Sequence, residues 1–263
     1  MSAKFVGYGD ILKIVLILLF FCGIINQYNF ALWVLTMGMS NKVDDKKING
    51  IYNKVLKRVI DIVCSLMAII FLSIIYIPIC IIVRCTSEGP VFFKQKRVGK
   101  GKSYFNILKF RTMRIDTPKD CPTHLLENPD QYITKVGKFL RKTSLDELPQ
   151  IFNILKGDMS VIGPRPALWN QDDLVAERDK YNINSLRPGL TGWAQINGRD
   201  ELPIPVKVEM DKKYYDNLSF LFDVKCLFLT IKSVLKSDGV VEGGTGQMSE
   251  KEISDKVEEI ENI

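Results

Sequence analysis

Histidine is nearly absent from this 263-residue chain, and its cysteines show no metal-binding pattern. The single histidine, His124, lies in a polar stretch near a proline, so a His-rich metal site is excluded and a Ser-His-Asp triad would depend on this residue alone. The six cysteines include no C-x-x-C pair, so neither zinc nor a disulfide framework is predicted. The chemistry must therefore use carboxylates, lysine, arginine, tyrosine or hydroxyl groups.

The chain also lacks internal repeats and long low-complexity tracts. Its mean hydropathy is close to zero, which excludes a highly charged disordered chain and a carrier built mostly of membrane spans. The length allows one globular domain of up to about 200 residues together with a membrane anchor. A second full catalytic domain does not fit.

Positive charge is concentrated in one part of the sequence. The formal net charge is +6, but residues 84–142 carry fourteen Lys or Arg against five acidic residues. Such a patch binds nucleic acid, anionic lipid headgroups or phosphorylated substrates. Because it directly follows an apolar segment, we expect no nucleic-acid partner and favour anionic membrane lipids or a phosphorylated substrate.

The apolar segment, residues 62–83, has 22 consecutive uncharged residues. A helix of that length, at ~1.5 Å per residue, crosses a ~30 Å hydrocarbon core. Basic residues flank it on both sides, however, and the positive-inside rule cannot place both flanks in the cytosol if the segment spans. A membrane helix over residues 54–84 that breaks near Ser73 and Pro78 and leaves on its side of entry satisfies both observations. A straight or mildly kinked span is the alternative.

Composition delimits three further regions. Residues 1–50 are predicted to form a hydrophobic, membrane-associated segment and a linker, residues 85–240 a catalytic domain on the cytoplasmic face, and residues 241–263 an acidic tail. Within the domain, residues 218–236 place lysines on one face of a largely apolar helix, which predicts a helix at the membrane interface or an ordinary core helix.

A β-hairpin is predicted directly after the apolar segment. Residues 91–98 and 103–110 are typical of strands and are separated by the turn sequence GKGK. Lys109 and Arg111 would then lie with other basic residues beside the membrane. We expect them to bind lipid phosphate or a phosphorylated substrate.

The most informative stretch is TSLDELPQIFNILKGDMSVIGPRP, residues 143–166. Ser144 with Glu147 three residues later predicts a capping box that opens an apolar helix ending near Gly157. In that interpretation Asp146 and Glu147 are first-turn acids that interact with the helix dipole. The alternative is a catalytic carboxylate pair, and the surrounding arginines favour it.

Arg141 lies just upstream of this acidic pair, and Arg165 follows it between two prolines. A rigid Pro-Arg-Pro turn presents a fixed guanidinium that suits phosphate binding. Residues 185–200 add Arg187 and three glycines. These glycines either bring backbone N–H groups close to phosphates or form a tight turn packed around Trp193.

Several long motifs follow one another along the chain: KRVIDIV (57–63), GPVFFKQKRVGKG (89–101), KFRTM (109–113), LDELPQIFNILKGDMSVIGPRP (145–166) and RPGLTGWAQINGR (187–199), then Tyr214-Tyr215. In this order they resemble the bacterial monotopic phosphoglycosyl transferases, the membrane sugar transferases that begin polysaccharide and glycoprotein glycan assembly. The resemblance covers roughly residues 54–240, and so many collinear motifs make chance similarity a poor explanation.

The resemblance implies transfer of a sugar-1-phosphate from a UDP-sugar to a polyprenyl phosphate such as undecaprenyl phosphate, with release of UMP, at the bacterial inner membrane. It implies that Asp146 attacks the sugar-linked phosphate and forms a covalent intermediate, with Glu147 as its acidic partner and Mg²⁺ beside both carboxylates. Arg141 matches the basic residue near this pair, and Arg165 and Arg187 match phosphate-binding positions. The expected fold is α+β and mainly helical, with a re-entrant membrane helix, a small β-hairpin and interfacial amphipathic helices.

The residue chemistry agrees with this reaction. An aspartate is ionised at neutral pH and a polyprenyl phosphate is already an anion, so neither half-reaction needs a histidine base. Arginines and Mg²⁺ would neutralise the diphosphate charge. Two alternatives remain: one-step transfer in a ternary complex, and a non-catalytic membrane scaffold for polysaccharide assembly. No recognisable spacing identifies the sugar, and a homo-oligomer is compatible with the sequence.

Overall fold

The computed structural model describes residues 50–117, 131–197 and 203–235. These residues are mainly helical, with seven α-helices and two small two-stranded sheets. The predicted N-terminal membrane-associated segment, His124 and the acidic tail lie outside the described residues.

A long apolar helix, α1, runs from Lys57 to Thr86 and is preceded by a π-helical turn, Tyr52–Leu56. Spacings of three, four and seven residues place its buried side chains in one stripe against the rest of the chain. The stripe is polar at its start and apolar afterwards: Asp61, Ser65, Ala68, Leu72, Ile79 and Val83. Large exposed apolar side chains cover much of the remaining surface of α1. By length and composition the 35 residues from Tyr52 to Thr86 can cross a membrane.

The helix continues through the position of the predicted break without ending there; because a proline can bend a helix without ending it, the re-entrant path stays a prediction. Residues 57–86 form one α-helix that includes Ser73 and Pro78. The Ser73 hydroxyl donates a hydrogen bond to the carbonyl oxygen of Ile70 at 2.6 Å. A proline removes only one backbone hydrogen bond from the helix, and a long helix with intact neighbouring turns tolerates that loss.

The predicted β-hairpin is confirmed. Strand β1, Phe92–Val98, pairs antiparallel with β2, Tyr104–Phe110, and Phe92 lies opposite Phe110. Gly101 in the turn has a φ of 63°, a backbone conformation that glycine adopts without strain. Phe110 is buried and lies 4.9 Å from the ring of Tyr76 on α1, measured between ring centroids, so the hairpin packs directly onto the membrane helix.

The remaining elements follow in chain order: α2 (Lys135–Lys142), α3 (Gln150–Lys156), β3 (Ser160–Ile162), α4 (Asp172–Asp179), β4 (Gly189–Thr191), α5 (Trp193–Asn197), α6 (Ile204–Asp216) and α7 (Phe220–Leu235). Strands β3 and β4 pair in parallel. The Asp61 carboxylate accepts hydrogen bonds from the Ser160 hydroxyl at 3.0 Å and the Val161 N–H at 2.9 Å, which ties β3 to α1.

The glycines between residues 185 and 197 allow close approach of backbones. A Cβ at Gly189 would lie 2.1 Å from the nitrogen of Gly163, and a Cβ at Gly192 would lie 2.1 Å from the Gly163 oxygen. Trp193 is only 2% exposed. Of the two interpretations for these glycines, the structure therefore supports the tight turn packed around Trp193.

Helix α7 has the two-sided character expected from residues 218–236. Asp223 and Cys226 are buried, whereas Leu221, Lys225, Phe228 and Lys232 are exposed along one face. Tyr52 and Lys57 both donate hydrogen bonds to the Asp223 carboxylate, and this contact fixes the start of α1 to α7.

Candidate active site

The acidic pair lies in a tight turn, not in a capping box. Ser144 has a φ of 54° and its side chain makes no capping hydrogen bond, so the predicted capping box is wrong. A 3-10 turn, Leu145–Glu147, carries the acidic pair, and Leu148 follows it directly. Leu145 is buried and Leu148 is partly buried in the apolar cluster that α1 and the hairpin form. Burial of these leucines draws the turn against α1 and hence shapes the backbone around Asp146.

The helix that follows ends where the sequence predicts. Gly157, with a φ of 101°, donates its N–H to the carbonyl oxygens of Asn153 and Ile154 and terminates α3. Asn153 is buried in α3, and its side chain bonds the backbone of Leu108 and Asn106 in β2, both at 2.9 Å. The acidic turn is thereby held at a fixed distance from the hairpin.

The side chains at the site form a compact charged group. Asp146 is 3% exposed. The Lys109 ammonium nitrogen lies 2.8 Å from Glu147 Oε1 and 4.0 Å from Asp146 Oδ2. Arg165 Nη2 lies 3.7 Å from the same Glu147 oxygen. The structure therefore brings together four residues that the sequence singled out.

Backbone contacts hold the Pro-Arg-Pro turn in place. The Gly189 N–H donates to the Pro164 carbonyl oxygen at 2.8 Å, and Arg97 Nη1 donates to the Pro166 carbonyl oxygen at 3.0 Å. Arg178 Nη1 donates to the carbonyl oxygen of Arg165 itself at 3.0 Å. The guanidinium of Arg165 thus projects from a turn with little freedom to move.

Arg178 is held in turn by a buried acid that sequence reasoning missed. Its Nε and Nη2 donate to Asp211 Oδ2 at 2.9 and 2.5 Å. Burial raises the pKa of Asp211, and the neighbouring Arg178 guanidinium opposes that shift. The two residues are 33 positions apart, on α4 and α6, so no local spacing marks them as partners.

A shallow, open pocket lies beside Glu147. Glu147, but not Asp146, is among its lining residues, which are Arg97, Ile107, Lys109, Glu147, Gln150, Arg165, Pro166, Gly189 and Leu190. Three cationic side chains and a carboxylate share this one surface. Such a pocket suits a diphosphate ester better than a neutral ligand.

The structure places the other predicted site residues elsewhere or at the margin. Arg141 ends α2 just before the acidic turn, and its Nε donates to the Thr112 hydroxyl at 2.9 Å. Arg187 donates to the Gly157 carbonyl oxygen at 3.2 Å, at the C-terminal end of α3. Arg111 contacts the end of α1 through Ser87. Neither Arg187 nor Arg111 lines the pocket at Glu147.

The acidic pair is the candidate metal site. Among the described residues, no three His, Cys, Asp or Glu side chains cluster closely enough to hold a metal ion by themselves. Mg²⁺, however, is commonly bound by one or two carboxylates together with water and substrate phosphates. The adjacent carboxylates of Asp146 and Glu147 fit that donor set.

The chain thus combines one helix that is long and apolar enough to cross a membrane with a carboxylate pair beside basic side chains. The model of the bacterial sugar transferase family matches residues 52–237, and the chain belongs to this family. The matched region contains α1, the hairpin, the acidic turn and both arginine motifs.

Curated relatives agree with this assignment. The uncharacterised sugar transferase EpsL of Bacillus subtilis is 42% identical over 187 residues, which cover 71% of this chain and 90% of EpsL. The exopolysaccharide production protein ExoY of Sinorhizobium fredii is 35% identical over 197 residues, which cover 70% of this chain and 87% of ExoY. The UDP-glucose:undecaprenyl-phosphate glucose-1-phosphate transferase of Escherichia coli is 39% identical, but the match covers only 41% of its length.

Proposed function

We propose that this protein transfers a sugar-1-phosphate from a UDP-sugar to undecaprenyl phosphate and releases UMP, as the first membrane step of polysaccharide or glycoconjugate assembly. The observation that carries the proposal is the buried Asp146 next to Glu147, whose partners Lys109 and Arg165 line the same pocket as Glu147. Two relatives support the same substrate classes by their names: a UDP-glucose:undecaprenyl-phosphate glucose-1-phosphate transferase and an undecaprenyl-phosphate galactose phosphotransferase.

The reaction proceeds in two displacements at one phosphorus atom. In the first, an Asp146 carboxylate oxygen attacks the sugar-linked phosphorus of the UDP-sugar, the bond to the bridging oxygen breaks, and UMP leaves with that oxygen. In the second, a phosphate oxygen of undecaprenyl phosphate attacks the same phosphorus and the Asp146 carboxylate leaves. The product is undecaprenyl diphosphate sugar. Both nucleophiles are already anions, so no general base is needed.

The contacts distinguish the roles of the two acids. Glu147 makes the shorter ion pair with Lys109, at 2.8 Å, and also lies 3.7 Å from Arg165. A carboxylate held between two cations is a poorer nucleophile but a good anchor for them. The proposal therefore gives Asp146, 4.0 Å from the same ammonium, the role of nucleophile, and gives Glu147 the role of keeping Lys109 and Arg165 in position to neutralise the phosphate oxygens.

Asp146 and Glu147 are also the residues that would hold Mg²⁺, together with donor phosphate oxygens. When bound there, the ion supplies charge neutralisation to the diphosphate. Lys109, Arg97 and Arg165 bind and orient the same diphosphate group from the walls of the pocket.

The packing of α1 supports insertion from one side of the membrane. At its start, Arg58 donates to the Ile154 and Leu155 carbonyl oxygens, both at 2.6 Å. At its end, Arg111 donates to the Ser87 carbonyl and hydroxyl oxygens, both at 2.7 Å. If α1 spanned the bilayer, the contacts of Arg58 and Arg111 would lie on opposite sides of the membrane. Both contacts, however, join α1 to the same folded body. We infer that α1 bends near Pro78 and so enters and leaves on the cytoplasmic face of the inner membrane.

Trapping of the covalent intermediate tests the mechanism. The full chain is incubated with a UDP-sugar that carries ³²P in the sugar-linked phosphate, quenched and analysed for labelled protein. We expect label on Asp146 and none in Asp146→Asn, which also loses UMP release. Asp172→Asn, which alters an exposed acid in the first turn of α4, is the matched control and should label normally.

Two outcomes would contradict the proposal at different levels. Full activity in Asp146→Asn with no labelled protein would exclude the covalent step and favour transfer in a ternary complex, which initial-rate kinetics separate from ping-pong behaviour. No UMP release with any UDP-sugar, together with lipid binding that survives loss of both carboxylates, would favour a membrane scaffold.

A further inference from the structure

Arg111 is a buried cation that the proposed mechanism does not use. It follows β2 and is 7% exposed. Its Nη2 donates to the Ser87 carbonyl and hydroxyl oxygens, both at 2.7 Å. Its Nε and Nη1 are buried and have no hydrogen-bond partner in the described part of the chain. A guanidinium carries five N–H donors, and a buried charge with unfilled donors is costly unless a ligand completes the site.

The surroundings of Arg111 concentrate positive charge. Arg84 lies in the last turn of α1, three residues before Ser87, whose oxygens accept the hydrogen bonds of Arg111. Burial lowers the pKa of Arg111, and the positive charge of Arg84 adds to that shift. None of the ion pairs found within residues 50–117, 131–197 and 203–235 involves Arg84 or Arg111. Two neighbouring cations without an acidic partner in this region favour an anion between or beside them.

The backbone is shaped closely around this guanidinium. Gly89 has a φ of 108°, and a Cβ at that position would lie 2.3 Å from Arg111 Nη1. Only glycine both adopts this conformation without strain and leaves space for the guanidinium. The loop between α1 and β1 therefore forms a fitted cradle for Arg111.

The location of the two arginines identifies the kind of anion. Ile77, Ile81 and Ile82 are exposed on the final turns of α1 just before Arg84. Cationic side chains at the end of an apolar membrane helix lie at the depth of the lipid headgroups. Phosphate is the anionic group present at that depth.

Arg111 follows Lys109 by two residues but, unlike Lys109, does not line the pocket at Glu147. We propose that Arg84 and Arg111 form a binding site for the phosphate group of a membrane lipid. This rests on the proposed membrane location and on no step of the proposed reaction.

Ligand titration of the full chain in a neutral detergent tests the site. The probes are dihexanoyl phosphatidic acid and farnesyl phosphate, with the unfolding midpoint and the Kd as readouts. We expect saturable binding that Arg111→Gln weakens by about tenfold or more, while Arg111→Lys retains part of the affinity. Arg84→Gln, which changes an exposed side chain, gives the same direction of effect if Arg111→Gln does not fold. Arg114→Gln, an exposed arginine paired with Asp116, is the matched control.

A second measurement distinguishes the two lipid sources. In phosphatidylcholine nanodiscs, a raised KM for undecaprenyl phosphate in Arg111→Gln, with unchanged labelling of Asp146, assigns the site to the acceptor. An unchanged KM, together with loss of the stabilisation that phosphatidylglycerol gives the unaltered protein, assigns it to a phospholipid headgroup. Variants at both arginines that bind both probes with unaltered affinity would overturn the proposal, whatever their unfolding midpoint. The titrations decide this even if no UDP-sugar is a substrate.

Discussion

Lys109 is the residue on which both carboxylates converge. It extends from β2 toward the acidic turn, and its ammonium nitrogen lies 2.8 Å from Glu147 Oε1 and 4.0 Å from Asp146 Oδ2. Its position on a strand that packs against α1 fixes the charge where phosphate oxygens would bind. A fixed charge of this kind needs no reorganisation during the reaction, so its removal is expected to lower the rate of the chemical step.

We therefore expect Lys109→Met to lower kcat/KM for UMP release by about 100-fold, the usual effect of losing one preorganised donor. Initial rates of UMP release measure the effect. Lys156→Met is the control, because Lys156 is largely exposed and pairs only with Asp158 among the described residues. Equal losses in the two variants, or no loss in Lys109→Met, would show that Lys109 does not act on the substrate.

The accuracy of sequence prediction at this scale depended on whether a signal was local. The stop of α3 at Gly157 was predictable, because a glycine with positive φ is a local requirement. The capping box was a plausible local motif, but burial of Leu145 against α1 gave Ser144 a left-handed conformation instead. Asp146 and Glu147 were singled out because arginine motifs lie on both sides of them; their catalytic role stays a prediction.

Among the secondary-structure elements, the hairpin and the long apolar helix were predictable from alternation, turn residues and composition. The short parallel pair β3 and β4 was not, because three-residue strands carry no periodic signal and their contact depends on glycine backbones at Gly163 and Gly189. The contact between α4 and α6 could not be predicted from the sequence either. It joins Arg178 and Asp211 across 33 residues of sequence and supports Arg165 from behind.

This tie leads to a prediction that separates stability from positioning. Asp211→Asn leaves Arg178 as a buried charge without its acid and should destabilise the protein by about 3–5 kcal/mol. Replacing both partners, with Arg178→Met and Asp211→Leu, should recover most of that stability because no buried charge remains. UMP release should stay low in the double variant, because the hydrogen bond from Arg178 to the Arg165 carbonyl is still missing.

Thermal unfolding in detergent and the KM for the UDP-sugar are the two readouts for these variants. A positioning role predicts a raised KM at nearly normal stability in the double variant. If the double variant regains both stability and normal kinetics, the pair serves only to hold α4 against α6.

Across the whole molecule, α1 links the membrane to the site. Its 30 residues extend ~45 Å at 1.5 Å per residue, yet one stripe of the helix packs against the body of the protein from Asp61 to Val83. The acidic turn, the hairpin and α1 share one apolar cluster. The turn that carries the proposed catalytic carboxylates thus packs against the side of α1, where the proposed lipid-linked acceptor would arrive.

This arrangement makes a testable prediction about topology. If α1 is inserted from the cytoplasmic face, residues before and after it lie on the same side of the membrane. Cys85, near the end of α1, is exposed, and Ile51, before its start, is also exposed. In chains with the remaining cysteines changed to alanine, we compare Cys85 alone with Ile51→Cys in a chain that carries Cys85→Ala.

A membrane-impermeant maleimide is applied to intact spheroplasts and to inside-out vesicles. Both cysteines should react in inside-out vesicles and neither in spheroplasts, because a helix that returns to its side of entry exposes both ends to the cytosol. Each chain is its own control for reactivity: after detergent is added, both cysteines must react with the maleimide. Labelling of the two positions from opposite sides would establish a spanning helix. Arg58 and Arg111 bind opposite ends of α1 to the same folded body, so a spanning α1 would require that body to extend through the bilayer. Lipid does not satisfy the backbone polar groups of loops and open sheet edges, so such a body cannot lie in the hydrocarbon core.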